Sequence, residues 1–428
     1  MVKDKVVVGI DVGSSKVATL IATAPVDGPI NVIGVASFPS RGLRRGQVVD
    51  IEEAVGVISQ SLEAAERMAG YSVGSAFVSV GGTHIACQNS KGVVAVSEPE
   101  KEITPQDVER VVEAAKAVSL PSSREIIHVL PRGFIVDGQE GIKDPLGMTG
   151  VRLEAETHII SGSATTMRNL AKCIEEVGVE VESLVFGGLA SGEAVLSETE
   201  KELGVVVVDL GGGTTDICIY IDGALSYSAV LPIGAKNITN DLAIGLRVSL
   251  ESAEKIKLLL TKQPKEVALP EEEGKETKVS DEIDLTNLGL SEEIRKISRK
   301  TLIEGIVKPR LNEIFTMVGL EIKKSGFGGL TPAGIVITGG GAQTGGATEV
   351  AKRILAMSCR VGIPTQMTGL IDEIQTPVFA TGVGLVLYGA KAEFLGKKVA
   401  FITLPKISGL PVRGIAQKTI DFFKSFLP

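Results

Sequence analysis

The sequence predicts an α/β fold of two lobes, with a small α+β subdomain inserted in the first. Three observations predict it. Two units of strand, aspartate, glycine-rich turn and strand stand about half the chain apart, at residues 6–22 and 204–223. The 428-residue length exceeds what one compact core holds. Between residues 83 and 158 the pattern shifts to short alternating strands around one capped helix.

The first unit reads VVVGIDVGSSKVATLIA. A Val-rich run with no polar break is what a strand buried on both faces requires. Asp11 ends the run, Gly13, Ser14, Ser15 and Lys16 turn it, and residues 17–22 resume as a strand. The second unit, GVVVVDLGGGTTDICIYIDG, repeats the plan. It has Asp209, then Gly211, Gly212 and Gly213, then Thr214, Thr215 and a second carboxylate, Asp216. Glycines without a Cβ can aim several N–H groups at phosphate oxygens. Either unit alone also suits a plain hairpin, whereas two from similar halves can clamp one nucleotide between them. The P-loop and the dinucleotide fingerprint both need a helix after the turn, and both turns here run into strands. Asp11 and Asp209, at matching positions, can hold the waters of a Mg2+ ion bridging phosphates, or simply cap their turns.

The other elements follow in order. Residues 31–38 read as a strand and 40–46 as a basic loop. Residues 51–69 read as a helix N-capped by Asp50, with Ala54, Ile58, Leu62 and Ala65 along one face. A strand at 76–80 stops at Gly81 and Gly82. In the insert, strands are expected at 85–87, 93–96, 126–130, 133–136 and from 151. Its helix opens with Thr104 as cap and Pro105 at the first position, and a Gly/Asp/Pro-rich loop fills 137–150. Residues 159–186 read strand–helix–strand, with the helix at 167–177. After the second hairpin come a helix at 251–261, a charged loop at 263–281 and a long helical pattern at 291–318. A strand at 334–338 ends in Gly339, Gly340 and Gly341, a third close-approach turn, and a helix follows at 349–357. Glu254 and Lys257 share a helix face, which suits two ribose hydroxyls or a plain ion pair.

Composition excludes several functions. Net charge −8 and the absence of Trp disfavour a nucleic-acid partner. The four cysteines form no C-x-x-C pair and read as reduced, and the three histidines are scattered, so no His/Cys metal site is expected. The apolar run at the N-terminus ends at Asp11, too early for a signal peptide, and no stretch reaches the length of a membrane span.

The tail has its own pattern. Three of the twelve Phe residues fall in the last seven positions. Ile415, Thr419, Phe422, Phe423, Phe426 and Leu427 recur at i, i+3, i+4 spacing, with Lys418 and Lys424 off that face. A short basic amphipathic helix behind a linker suits an anionic membrane surface. Docking on the chain's own core or on a partner is the other use of such a face. Each apolar side chain buried supplies ~1.5–3 kcal/mol, and each Lys or Arg near anionic lipid ~1 kcal/mol. Ordering the helix opposes both, so one copy binds modestly and an array binds far better.

Two hairpins, a third glycine turn and a ribose-facing helix, in this order, resemble the actin/Hsp70/sugar-kinase superfamily, an actin-like (ribonuclease H-like) two-lobed ATPase fold. Within it the chain resembles the FtsA family of bacterial cell-division actin homologues. The resemblance is carried by GIDVGSSKVATLI, IGVASFPSRGLRRGQVVD, SVGGTHIACQN, HVLPRGFIVDGQEGIKDPLGMTGVRLEAETHII, VFGGLAS, ELGVVVVDLGGGTTDICIY, GIVITGGGAQ and the tail. It implies ATP and Mg2+ as ligands and polymerisation into actin-like filaments. It also implies tethering of the FtsZ ring to the cytoplasmic face of the membrane at the division site, and recruitment of later division proteins. Asp11, Gly13, Ser14, Ser15 and Lys16 would form the first phosphate loop. Asp209, Gly211, Gly212, Gly213, Thr214 and Thr215 would form the second. Glu254 and Lys257 would lie at the ribose, and Gly339, Gly340 and Gly341 at the adenosine.

The implied parts are 1–82 and 159–203 in the first lobe, with 83–158 as the inserted subdomain. Residues 204–235 and 301–395 would form the second-lobe core and the return to the first lobe, and 236–300 its lid. Residues 396–411 would be a linker and 412–428 the membrane helix. One departure bears on chemistry. Hsp70-like relatives place a Glu after the strand that here ends in Val185 and Phe186. This chain has Gly187 and Gly188 there, and Glu193 lies too far along to substitute. No base for an attacking water is evident, so slow or negligible ATP hydrolysis is expected. Competing readings are an actin-like pilus-assembly scaffold, a small-molecule kinase, which would need a cleft base and no tail, and an Hsp70-type chaperone, which would need a substrate domain after residue 396.

Overall fold

The computed structural model describes residues 5–25, 28–97, 102–261, 281–292 and 296–394. The linker and membrane helix expected at 396–428 lie outside the described residues, as does most of the charged loop at 263–281.

Two sheets are built on one plan. The first runs Glu180–Phe186, Ser75–Val80, Lys5–Val12, Lys16–Ala24, Ile30–Pro39, Met367–Gly369. The second runs Ala224–Leu231, Thr215–Ile221, Val205–Leu210, Ile335–Thr338, Cys359–Val361. In each, a central hairpin has an antiparallel third strand on one side and two parallel strands on the other. The parallel strands are reached through helical crossovers, as parallel pairing requires. The Val-rich strands of both hairpins are buried on both faces because helices cover each sheet.

The hairpins therefore occupy equivalent places, and their turns open at the same edge of each sheet. One apolar core holds the first sheet together with one face of the second, including Val205, Val207 and Val336, and a second core covers the other face of the second sheet. Two helices join the lobes behind the turns. Gly187–Val195 is buried along nearly its whole length, and Ala380–Phe394 packs across it. The approach is close enough that a Cβ on Gly384 would overlap the carbonyl of Ala190.

The insert carries a four-stranded antiparallel sheet in the order Ala86–Ala95, Arg152–Ser163, Arg124–Val136, Gln139–Ile142. Helix Pro105–Lys116 lies on it, fixed by a reciprocal capping box between Thr104 and Asp107. Their shared core includes Val111, Phe134, Val136 and Leu153.

Three segments differ from the sequence expectation. The short strands at 85–87 and 93–96 are one strand, Ala86–Ala95, because its polar middle forms one edge of the sheet and stays wet. The strands at 126–130 and 133–136 are also one, passing through Pro131 at a bulge that leaves Arg132 as the extra residue. A bulge is where a strand tolerates a residue without an N–H. The helical pattern at 291–318 is a strand, Lys296–Ser298, followed by a helix that Ser298 caps. That helix loosens into a π turn, Ile303–Val307, just before Pro309, which has no N–H to continue the ladder.

Candidate nucleotide-binding cleft

The two glycine turns face each other across one cleft between the lobes, and the third turn closes one side. In the first loop, the Gly13 N–H donates to the Lys16 carbonyl at 2.9 Å and tightens the turn. Asp11 is oriented by two donors, Lys16 Nζ at 2.9 Å and Ser79 Oγ at 3.0 Å. Ser79 in turn accepts from the Val12 N–H, so the neighbouring strand braces the loop. The Lys16 ammonium also lies 5.0 Å from the centre of the Phe379 ring.

The second loop is held from behind by the start of helix Ala235–Leu246. The N–H groups of Ala235 and Lys236 donate to the carbonyls of Gly211 and Gly212 at 2.9 and 2.8 Å. Asp209 accepts from the Thr381 hydroxyl at 3.1 Å. Burial, with Asp11 nearby, pushes its carboxyl up to about 6. Gly339, at φ +79°, lies so close that a Cβ would overlap Asp209 Oδ1, and Gly341 packs equally closely on Leu210. The third glycine turn is thus pressed onto the second loop.

Asp11, Gly13, Ser14, Ser15 and Lys16 all line this cleft. So do Asp209, the three glycines 211–213, Thr214, Glu254, Lys257 and the three glycines 339–341. Thr215 does not. It is fully buried, with its hydroxyl on the Ile233 carbonyl at 2.7 Å, because it is the first strand residue and faces the core. Glu254 and Lys257 pair with each other at 2.7 Å, and both bond the Thr239 hydroxyl.

Asp216 is the carboxylate that sequence reasoning left without a role. It sits directly across the hairpin from Asp209 and lines the cleft, and its Oδ1 has no hydrogen-bond partner among the described residues. Burial, then Asp209 and Asp11, raise its carboxyl well above the usual range. A Cβ on Gly187 would come within 3.2 Å of Asp216 Oδ2, so the glycine leaves room for this carboxylate. Glu193 lies outside the cleft. Burial pushes its carboxyl up, but pairing with Lys201 at 3.0 Å and with Lys391 outweighs this and lowers it.

Known families and relatives match most of the chain. A family model described as an SHS2 domain inserted in FtsA matches residues 82–161, and one described as cell division protein FtsA matches residues 206–384. The cell division protein FtsA of Pseudomonas aeruginosa is 41% identical over 396 residues, covering 92% of each chain. That of Borreliella burgdorferi is 42% identical over 399 residues, covering 91% of this chain and 92% of its own. This chain belongs to the FtsA family of cell-division proteins. A solved PilM–PilN type IV pilus biogenesis complex shares the fold at TM-score 0.63 and 15% identity, covering 90% of this chain and 99% of that one. The FtsA-family fold here is therefore the actin-like one, α/β in two lobes, with the family's SHS2 domain inserted in the first.

The carboxylates suit a hard divalent cation. Among the described residues no three such side chains converge to hold a metal ion directly, but Asp11 and Asp209 offer carboxylate oxygens suited to the water shell of a hard cation. Bound there, Mg2+ would neutralise phosphate charge, with Asp11 and Asp209 holding its waters.

Proposed function

We propose that this FtsA-family chain binds ATP with Mg2+ between its lobes, polymerises into actin-like filaments and anchors the FtsZ ring to the cytoplasmic face of the membrane. The C-terminal segment, with Ile415, Lys418, Thr419, Phe422, Phe423, Lys424, Phe426 and Leu427, is the anchor in this reading, and the filament recruits later division proteins. The observation that carries the nucleotide half is the pairing of two equivalent hairpin turns across one cleft, with an aspartate at the matching position of each.

The residues of the cleft have distinct tasks. The backbone of Gly13–Ser15 and Gly211–Gly213 would receive phosphate oxygens, and Lys16 would supply a fixed positive charge. Glu254 and Lys257 are already ordered by Thr239, so they could bind ribose hydroxyls without further loss of side-chain freedom. Gly187 and Gly188 stand where Hsp70-like relatives place the glutamate that helps polarise water, which supports slow turnover.

Liposome co-sedimentation tests the reading. Full-length protein should pellet with anionic vesicles, more strongly with ATP, and a chain truncated after Gly396 should not. The same samples should release phosphate slowly. Equal pelleting of the two chains would remove the anchor from the reading.

A further inference from the structure

Lys236 connects the two phosphate loops across the cleft. Its backbone N–H is bonded to Gly212 in the second loop, while its side chain reaches the first. There Nζ donates to the backbone carbonyl of Ser14 at 2.6 Å, joining residues 222 positions apart. The contact falls where the loops already touch. A Cβ on Gly213 would lie 3.0 Å from the Ser14 side chain, and Ser14 Oγ accepts from the Gly46 N–H at 2.8 Å.

The ammonium has no carboxylate of its own among the described residues. Glu254, which acts on it through space, is held by Lys257 and Thr239. Lys236 is exposed as a residue, but its bond to the Ser14 carbonyl is part-buried, and a charged donor makes it stronger than a neutral one. Ser14 and Ala235 line the cleft but Lys236 does not. It therefore grips the first loop from outside the ligand space.

We propose that Lys236 is a latch between the lobes that sets how long a nucleoside polyphosphate stays in the cleft, without touching that ligand. This rests on the nucleotide reading above. Release requires the lobes to part and the Lys236–Ser14 bond to break. Entry occurs into the open form, where that bond is already absent. Loss of the latch therefore acts on dissociation and spares association.

The test uses full-length protein, Mg2+ and a fluorescent N-methylanthraniloyl ATP in stopped flow. Lys236→Met should release the probe about tenfold faster or more, with association within about twofold of the parent. Lys236→Arg should restore slow release, and Lys236→Gln, a neutral donor, should fall between. Hydrogen exchange without nucleotide gives an independent readout, since the Gly46 amide should exchange several-fold faster in the Met and Gln variants. Slower association with unchanged dissociation would overturn the latch and place the ammonium on the ligand itself. Unchanged rates with unchanged exchange would also overturn it. If the parent protein fails to bind the probe, the nucleotide reading falls, while the exchange comparison still decides whether the latch exists.

Discussion

Asp209 shows how the cleft holds charge at the expense of stability. Its carboxyl titrates near 6 in the folded chain and near 3.8 as an ordinary aspartate. Between those values the folded state binds more protons than the unfolded one, so this group lowers stability as pH rises through about 4 to 6. The loss reaches up to about 3 kcal/mol by pH 7. Asp209→Asn should therefore stabilise the nucleotide-free protein against denaturant at pH 7, with the gain shrinking toward pH 4. The same variant should weaken Mg2+-dependent nucleotide binding at least tenfold. Equal denaturation midpoints for the two proteins at pH 7 would contradict the assigned burial cost. The sequence made Asp11 and Asp209 legible because the same pattern placed both at strand ends. It did not separate Thr215 from Asp216, since a strand alternates its faces and nothing local says which phase meets the cleft. Lys236 escaped for another reason. The residue before its helix is Gly234, which has no side chain to cap the start, and its partner Ser14 is distant in sequence.

At the scale of elements, the insert is tied to the second lobe by polar contacts. His158 stands between Asn89 of the insert, at 2.7 Å, and Ser228 of strand Ala224–Leu231, at 2.9 Å. Arg132, the bulged residue, donates to Ser226 at 3.0 Å and lies 5.6 Å from the Phe327 ring centre. The bulge that breaks the pattern of this strand thus aims the side chain that joins it to the next lobe. Burial lowers the His158 imidazole to about 3, with Arg132 and His128 adding to the effect, so it is neutral in the fold. Protons then favour the unfolded chain. The stability is intact above about 6.5 and is lost as pH falls toward 3, by about 2 kcal/mol at pH 5. His158→Gln should flatten the fall in denaturation midpoint between pH 7 and pH 5, and hydrogen exchange should show the parent's strand Ala224–Leu231 opening first in acid. An unchanged pH slope in the variant would exclude His158 as its source. The helix and strand types of the insert were legible from alternation and capping. Its long strands were not, because a proline and a polar middle read locally as breaks, and pairing with Arg152–Ser163 overrides them.

At the scale of the molecule, the proposed function gives the duplicated sheets and the amphipathic pattern of the C-terminal sequence different halves of one physical problem. If the C-terminal segment folds as one helix on a membrane, it would gain only a few buried side chains of ~1.5–3 kcal/mol each, and its ordering would offset much of that. Under the proposed function, subunits joined in a filament would present many tails together, and each bound tail would raise the effective concentration of the next. Membrane binding should then depend on polymerisation more steeply than on tail chemistry alone. With ATP, vesicle-bound protein should rise cooperatively with protein concentration, whereas without it binding should be weak and hyperbolic. Phe423→Glu should reduce binding more than tenfold in both conditions and, if the segment serves only as the anchor, leave filament formation in solution intact. Raising salt should weaken the attraction of Lys418 and Lys424 to anionic lipid more than it weakens the apolar contribution. Binding that stays hyperbolic in ATP while filaments are visible would mean that each tail acts alone, and the coupling between nucleotide and membrane would have to be sought elsewhere in the chain.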